Sequence, residues 1–244
     1  MAKEMSFVGH LEELRWTLIR CVCAVIVCAI PPGILWRRVF DLIAVWPLRF
    51  SDPAPALIFT APTDAVFFVF KIALTCGTIL ASPFLFLQIW RFVASALHKK
   101  EKAAIVPLVI ASTLCFLAGV VFSYFFLPFF LAFLVGFAGD LIEPMFRINE
   151  YFAFLIRMSI SFGLVFEIPV ISFALSKMGV IDHRFLLRYL RHAIVAIAIL
   201  AAILTPSPDV FSQVLMALPL LLFYAVGILI AYLVNRSAKK VSPS

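Results

Sequence analysis

The chain has 244 residues, 64% of them hydrophobic, with a net charge of +7 and a mean hydropathy of +1.12. That much apolar surface excludes an ordinary soluble domain and points to an integral membrane protein. The positive balance does not indicate nucleic acid, because Lys and Arg fall in short tracts beside apolar runs. Six spans are predicted in chain order: about Thr17 to Leu35, Ala65 to Ile89, Ala103 to Phe126, Tyr151 to Met178, Leu190 to Leu204 and Val210 to Val234. Each must be helical, since an open strand would leave backbone N–H and C=O groups unpaired in lipid. The fold class is therefore all-α, one membrane domain over residues 1–244.

Glu4, Glu12 and Glu13 precede the first span and no small-residue cleavage site follows it, so the N-terminal run reads as a retained helix. The loop after it, about Trp36 to Asp64, is rich in proline; within it Val39–Trp46 reads as a short interfacial helix. Residues 129–138 are apolar but too short to span, and with Pro128 ahead and Gly139 behind they read as an interfacial or re-entrant segment. The clean apolar core of the fifth span, Ala193 to Leu204, gives only about 18 Å of helix against a hydrocarbon core of roughly 30 Å. The turn Thr205-Pro206-Ser207-Pro208-Asp209 then leads to Ser212 and Gln213, which put polar groups near the outer mouth of the last hairpin. With both termini inside, the inner segments carry fourteen Lys and Arg and the outer loops four, which fixes the orientation.

Catalytic and metal-binding motifs are absent from the sequence. Its four histidines lack metal-ligand spacing, and its five cysteines all lie in apolar runs, where they read as packing residues. No cofactor, metal or nucleic acid is expected, and the chain does not read as an enzyme. The acids carry the information instead. Glu167 lies about 15 Å along the fourth span from Lys177, near the midplane. A charged carboxylate at that depth costs about 2.5–3.5 kcal/mol on insertion scales. It therefore marks a neutral, hydrogen-bonded interface residue, a pathway or a binding surface. Pro169 just after it predicts a bend. Glu13 and Glu101 sit among bases at inner helix starts. There they read either as partners of the helix dipole or as acceptors for a cationic ligand, a guanidinium being the donor that fits a carboxylate in bidentate fashion.

Four motifs occur in order: His10-Leu11-Glu12-Glu13-Leu14-Arg15; Gln88-Ile89-Trp90-Arg91-Phe92 leading to Ala96-Leu97 and Glu101; Glu150-Tyr151-Phe152 through Phe162-Gly163 to Phe166-Glu167-Ile168-Pro169-Val170; and Leu204-Thr205-Pro206 to Asp209-Val210-Phe211-Ser212-Gln213. Together, from about Phe7 to Asn235, they resemble the TatC family, the multi-spanning subunit of the twin-arginine protein translocase. The resemblance implies a concave bundle of six helices in the bacterial cytoplasmic (inner) membrane. It also implies a receptor for twin-arginine signal peptides of folded cargo, driven by the proton motive force. Glu13 and Glu101, with Arg15 and Leu97 beside them, would contact the signal peptide. Glu167 would be an intramembrane polar site on the concave side, facing a groove or hydrated cavity. Thr205 and Gln213 would dock TatA- and TatB-type single-span subunits, in an oligomeric complex embedded in membrane lipid.

The chain departs from the family pattern at three places. Ala225 follows Tyr224 where a Glu is usual, Ser95 replaces a Pro, and the turn 205–209 is one residue longer. Two rival readings stay open. One is a proton- or ion-coupled small-solute transporter using Glu167, which would be expected to show inverted repeats that are not visible here. The other is a scaffold or insertase-like chaperone without motif specificity.

Overall fold

The computed structural model describes residues 7–50, 55–95, 105–138, 144–205 and 209–241. Helix α1 (Phe7–Ile34) is followed by a helical outer segment made of α2 (Trp36–Phe40), a π-helical turn (Asp41–Val45) and α3 (Trp46–Leu48). Then come β1 (Ala56–Ile58), α4 (Asp64–Ser95), α5 (Ile105–Ala138), β2 (Met145–Arg147) and α6 (Ile148–Val165). The remaining helices are α7 (Ile168–Lys177), α8 (His183–Arg188), α9 (Leu190–Leu204) and α10 (Val210–Val241). Five described stretches are long and apolar enough to cross a membrane, and the shorter apolar helix Leu190–Leu204 lies where the fifth span is expected. All six predicted spans are therefore helical over their described residues, the fourth in two pieces.

One expectation needs correction. Residues 129–138 are not a separate interfacial or re-entrant segment, because α5 runs unbroken through Pro128 to Ala138. Its 34 residues make about 51 Å of helix, longer than the hydrocarbon core. The surplus apolar length goes into protein contacts: Phe130, Leu131 and Val135 are buried, and the Phe130 ring lies 5.4 Å from that of Phe154 on α6. The fourth span bends where Pro169 predicts it. α6 stops at Val165 and α7 starts at Ile168, with Pro169 at its beginning. Proline has no N–H to donate to the carbonyl four residues back, so the backbone breaks there.

The chain divides into two compact units, residues 1–42 with 65–114 and residues 43–64 with 115–244. In the first, α1 and α4 meet at Gly77, where an added Cβ would lie 2.8 Å from the backbone of Ala29. Small residues let membrane helices approach this closely. Phe68 receives the edges of Trp36 and Phe40, and the Trp90 Nε1 donates to the Ser112 Oγ at 2.9 Å.

The second unit is built around α6 and α7. Of their span, 61% is buried, against 11% of α1, so this is the central helix pair and not a lipid-facing one. α10 packs chiefly along α7 and α9. α5 presses on α6 at Gly119, where a Cβ would come within 2.6 Å of the Phe162 carbonyl.

The outer loops of this unit are joined. β1 and β2 pair in parallel, with Ala56 opposite Met145 and Ile58 opposite Arg147. The Asp64 carboxylate accepts from Thr60 N–H (3.0 Å), Ala61 N–H (2.9 Å), the Thr60 hydroxyl (3.1 Å) and the Asn149 amide (2.6 Å). Arg147 donates to the Thr60 Oγ1 and pairs with Glu150 at 2.7 Å. The buried Tyr151 hydroxyl donates to the Ala44 carbonyl at 3.0 Å.

Candidate functional site

The inner-rim acids come first. α1 begins at Phe7, so Glu13 is nearly two turns inside the helix and not at its start. That removes the dipole explanation, which acts only within the first turn. Consecutive residues on a helix point about 100° apart, and the two acids differ accordingly: Glu12 is exposed and Glu13 half-buried. The Glu13 Oε2 is withdrawn from solvent and accepts no hydrogen bond among the described residues. Arg15 is exposed, and two residues along a helix do not face each other, so it is not placed to satisfy Glu13. Glu101 and Leu97 lie outside the described residues.

Glu167 occupies the junction of α6 and α7. The last turn of α6 tightens, with Glu167 N–H donating to the Leu164 carbonyl at 3.1 Å, and the Glu167 carbonyl accepts from Ile171 N–H at 2.8 Å as α7 begins. The predicted bend is here, two residues ahead of Pro169. The residue is only 4% exposed. It is closed inside the packing, unlike the expectation of a side chain open to a groove or hydrated cavity. Beside it the Phe166 ring lies 3.7 Å from that of Phe223 on α10 and 5.5 Å from that of Phe122 on α5, so the junction is packed from both helices. Arg157, higher on α6, is exposed, and its guanidinium donates to the carbonyls of Ala153 (3.1 Å) and Ile203 (3.5 Å). It thus places a cation at the carbonyl end of α9, where the helix dipole favours one.

Thr205 and Gln213 are brought together by the α9–α10 hairpin. Thr205 ends α9: its N–H donates to the Ala201 carbonyl at 3.0 Å, its hydroxyl donates to the Ala202 carbonyl at 3.3 Å, and it is 8% exposed. The Gln213 amide reaches from α10 to the Ala198 carbonyl at 2.9 Å. Asp209 caps α10 by accepting from Ser212 N–H at 2.7 Å. These groups therefore brace the hairpin first. The Gln213 side chain also has a carbonyl acceptor and a second amide hydrogen. Residues 206–208, where the longer turn falls, lie outside the described residues.

Sequence reasoning missed the knot around Asp64 and the pairing of the outer loops. Its one local signal was the run Thr60 to Asp64, where an acid at a helix start can reach back to preceding N–H groups. Sequence reasoning also missed an inner contact set. The Asp182 carboxylate accepts from the Asn235 amide, and the His183 Nδ1 lies 2.6 Å away in a close but poorly directed contact. Partial desolvation pushes the Asp182 carboxyl up, but the hydrogen bonds and charge from His183 and the amide of Asn235 pull it further down. It therefore titrates below the ordinary aspartate value. Among the described residues no cluster of three or more His, Cys, Asp or Glu could hold a metal ion.

Comparison with known proteins shows the family. A TatC protein of Carboxydothermus hydrogenoformans is 40% identical over 231 residues, covering 94% of this chain and 93% of its own. One of Aquifex aeolicus is 37% identical over 240 residues, covering 97% and 99%. A crystal structure of a twin-arginine translocase receptor, TatC, superposes with a TM-score of 0.84 at 38% identity over 93% of this chain and 100% of that one. The family model for the Sec-independent protein translocase protein TatC matches residues 9–219. With six helical spans in the expected places, the chain belongs to the TatC family of Sec-independent protein translocase proteins.

Proposed function

We propose that this translocase subunit binds the twin-arginine signal peptides of folded cargo at the inner face of the bacterial cytoplasmic membrane, and that Glu13 and Glu101 accept the two guanidinium groups. The observation that carries the proposal is the Glu13 Oε2, shielded from water with no donor among the described residues. A buried acceptor without a donor is unfavourable by about 1–3 kcal/mol, more for a charged one, and an arginine fork relieves that cost through a charge-assisted, directional bond. Arg15 and Leu97 are assigned to the same peptide contact. The ligand's arginines stay at the membrane rim and need not enter lipid, where a charge is costly.

Docking of TatA- and TatB-type single-span subunits is assigned to the braced hairpin of Thr205 and Gln213, whose remaining polar groups can bond a second membrane helix. Glu167 is assigned as an interior polar point, reached by an inserted peptide or partner helix when the surrounding helices part. Transport is then powered by the proton motive force, without a nucleotide.

The test is the binding of purified protein to a peptide carrying Arg-Arg and to its Lys-Lys counterpart. The bidentate contact requires a clear preference for Arg-Arg that Glu13→Gln and Glu101→Gln each reduce. Equal binding of the two peptides refutes the assignment. Loss of TatB-type co-purification on Gln213→Ala, with peptide binding intact, tests the docking surface separately.

A further inference from the structure

Residues 180–192, on the inner side, comprise the link from α7 with α8 and the first turn of α9. They carry Arg184, Arg188 and Arg191, spaced by four and then three, which returns to one face of a helix. The helix is interrupted at Tyr189 (φ −92°, ψ 7°), so spacing alone does not establish a common face. Ring contacts do. The Phe185 and Tyr189 rings lie 4.6 Å apart and those of Tyr189 and His192 5.5 Å apart, so one row continues across the kink. Each arginine precedes a member of that row by one residue. The arginines therefore form a parallel row, about 100° around the helix.

All six of these side chains are exposed, and no arginine of the row enters an ion pair among the described residues. The neighbouring acid, Asp182, is engaged by His183 and Asn235. The segment is held in place, since the Tyr224 hydroxyl on α10 donates to the Leu186 carbonyl at 2.9 Å. Exposed Leu187 and Leu190 extend its apolar side. The inside bias of positive charge asks only for Lys and Arg somewhere in the loop. It does not ask for a single row, set beside an aromatic row, on a tethered helical elbow.

We infer that this elbow is a binding site for anionic phospholipids of the inner leaflet, with the Arg184–Arg188–Arg191 row taking headgroup phosphates. Guanidinium forks match phosphate oxygens in bidentate fashion, and basic segments at the cytoplasmic surface attract anionic lipid. Aromatic rings favour the headgroup level, so Phe185 and Tyr189 suit the glycerol and upper acyl region of the same lipid. An acidic protein segment would satisfy the arginines but leave that aromatic row without a match.

The experiment titrates the detergent-purified full chain with phosphatidylglycerol and with phosphatidylcholine, reading bound lipid by native mass spectrometry. In parallel, a photoactivatable phosphatidylglycerol is crosslinked in nanodiscs. The expected result is a preference for phosphatidylglycerol that falls about tenfold or more in the triple variant Arg184→Gln/Arg188→Gln/Arg191→Gln, with phosphatidylcholine unaffected and crosslinks concentrated in 180–192. Equal retention of the two lipids by the unmodified chain overturns the inference, as do crosslinks spread evenly over all basic segments. Tighter binding of a poly-glutamate peptide than of phosphatidylglycerol reassigns the row to a protein partner and equally overturns it. If the triple variant aggregates, the crosslink map of the unmodified chain decides.

Discussion

The outer and inner ends of the second unit handle polar groups in opposite ways. At the outer end Asp64, Thr60, Asn149, Arg147 and Glu150 satisfy one another, and β1 and β2 pair their backbones. At the inner end Asp182, His183 and Asn235 close one small contact set, while three arginines beside it stay exposed and without ion pairs among the described residues. In the first unit, Glu13 likewise keeps a shielded oxygen without a donor among them. A polar group satisfied within the chain stabilises the fold, whereas one left unsatisfied is available to a ligand. The outer end therefore reads as architecture, and under the proposed function the exposed arginines and, in the first unit, Glu13 are the groups left for ligands.

The largest effect that would break this contrast is at Asp64. Asp64→Ala removes the acceptor for two backbone N–H groups, a hydroxyl and an amide at once. The apparent Tm in detergent is expected to fall by about 5 °C or more, with peptide affinity per folded molecule unchanged. A changed affinity at unchanged Tm would invert the roles of the two ends.

Glu13→Gln should do the reverse. Arg-Arg peptide affinity drops about tenfold, the size of one charged hydrogen bond, while the melting curve stays in place. Photo-crosslinking to the peptide at matched protein concentration checks this.

Tyr151→Phe removes one buried hydrogen bond, to the Ala44 carbonyl. Denaturant or thermal unfolding should register a loss of about 1 kcal/mol. No loss would mean that the outer segment 41–48 is held by its rings alone, such as the Trp46–Tyr124 stack at 4.9 Å.

The smallest effect is a pH dependence at Asp182. Its folded-state pKa lies below the unfolded value, so its stabilising contribution is present at neutral pH and is lost as pH falls below about 4. The melting temperature of Asp182→Asn should therefore lie below that of the unmodified chain at neutral pH, and the offset should close as pH falls below about 4. An offset that persists unchanged at about pH 3 would remove the Asp182 carboxylate from the stability balance.

Much of the fold was legible in the sequence. Leu190–Leu204 is a helix over the predicted residues, and the break expected from Pro169 lies at Phe166 and Glu167. The four motifs identified the family before any coordinates did. The outer knot was not legible, because Asp64 and Asn149 are 85 residues apart and nothing local announces their contact. Residues 129–138 misled because a ten-residue apolar stretch after a proline looks separate until Phe154 is seen beside Phe130. At the candidate site the residue types were readable, but their environments were not. Glu12 and Glu13 are chemically alike, and only helix phase and packing distinguish the exposed one from the shielded one.

By itself the sequence determined the six helices, their orientation and the family. In lipid each span must satisfy its own backbone, so helix formation follows from local apolar length, and flanking Lys and Arg set direction. Tertiary structure alone decided which helices form the interior, how far α5 extends, that Glu167 is enclosed at 4% exposure, and that the ring row Phe185, Tyr189 and His192 continues across a kink. Those outcomes depend on contacts between residues far apart in the chain, and no local pattern encodes which apolar face meets which.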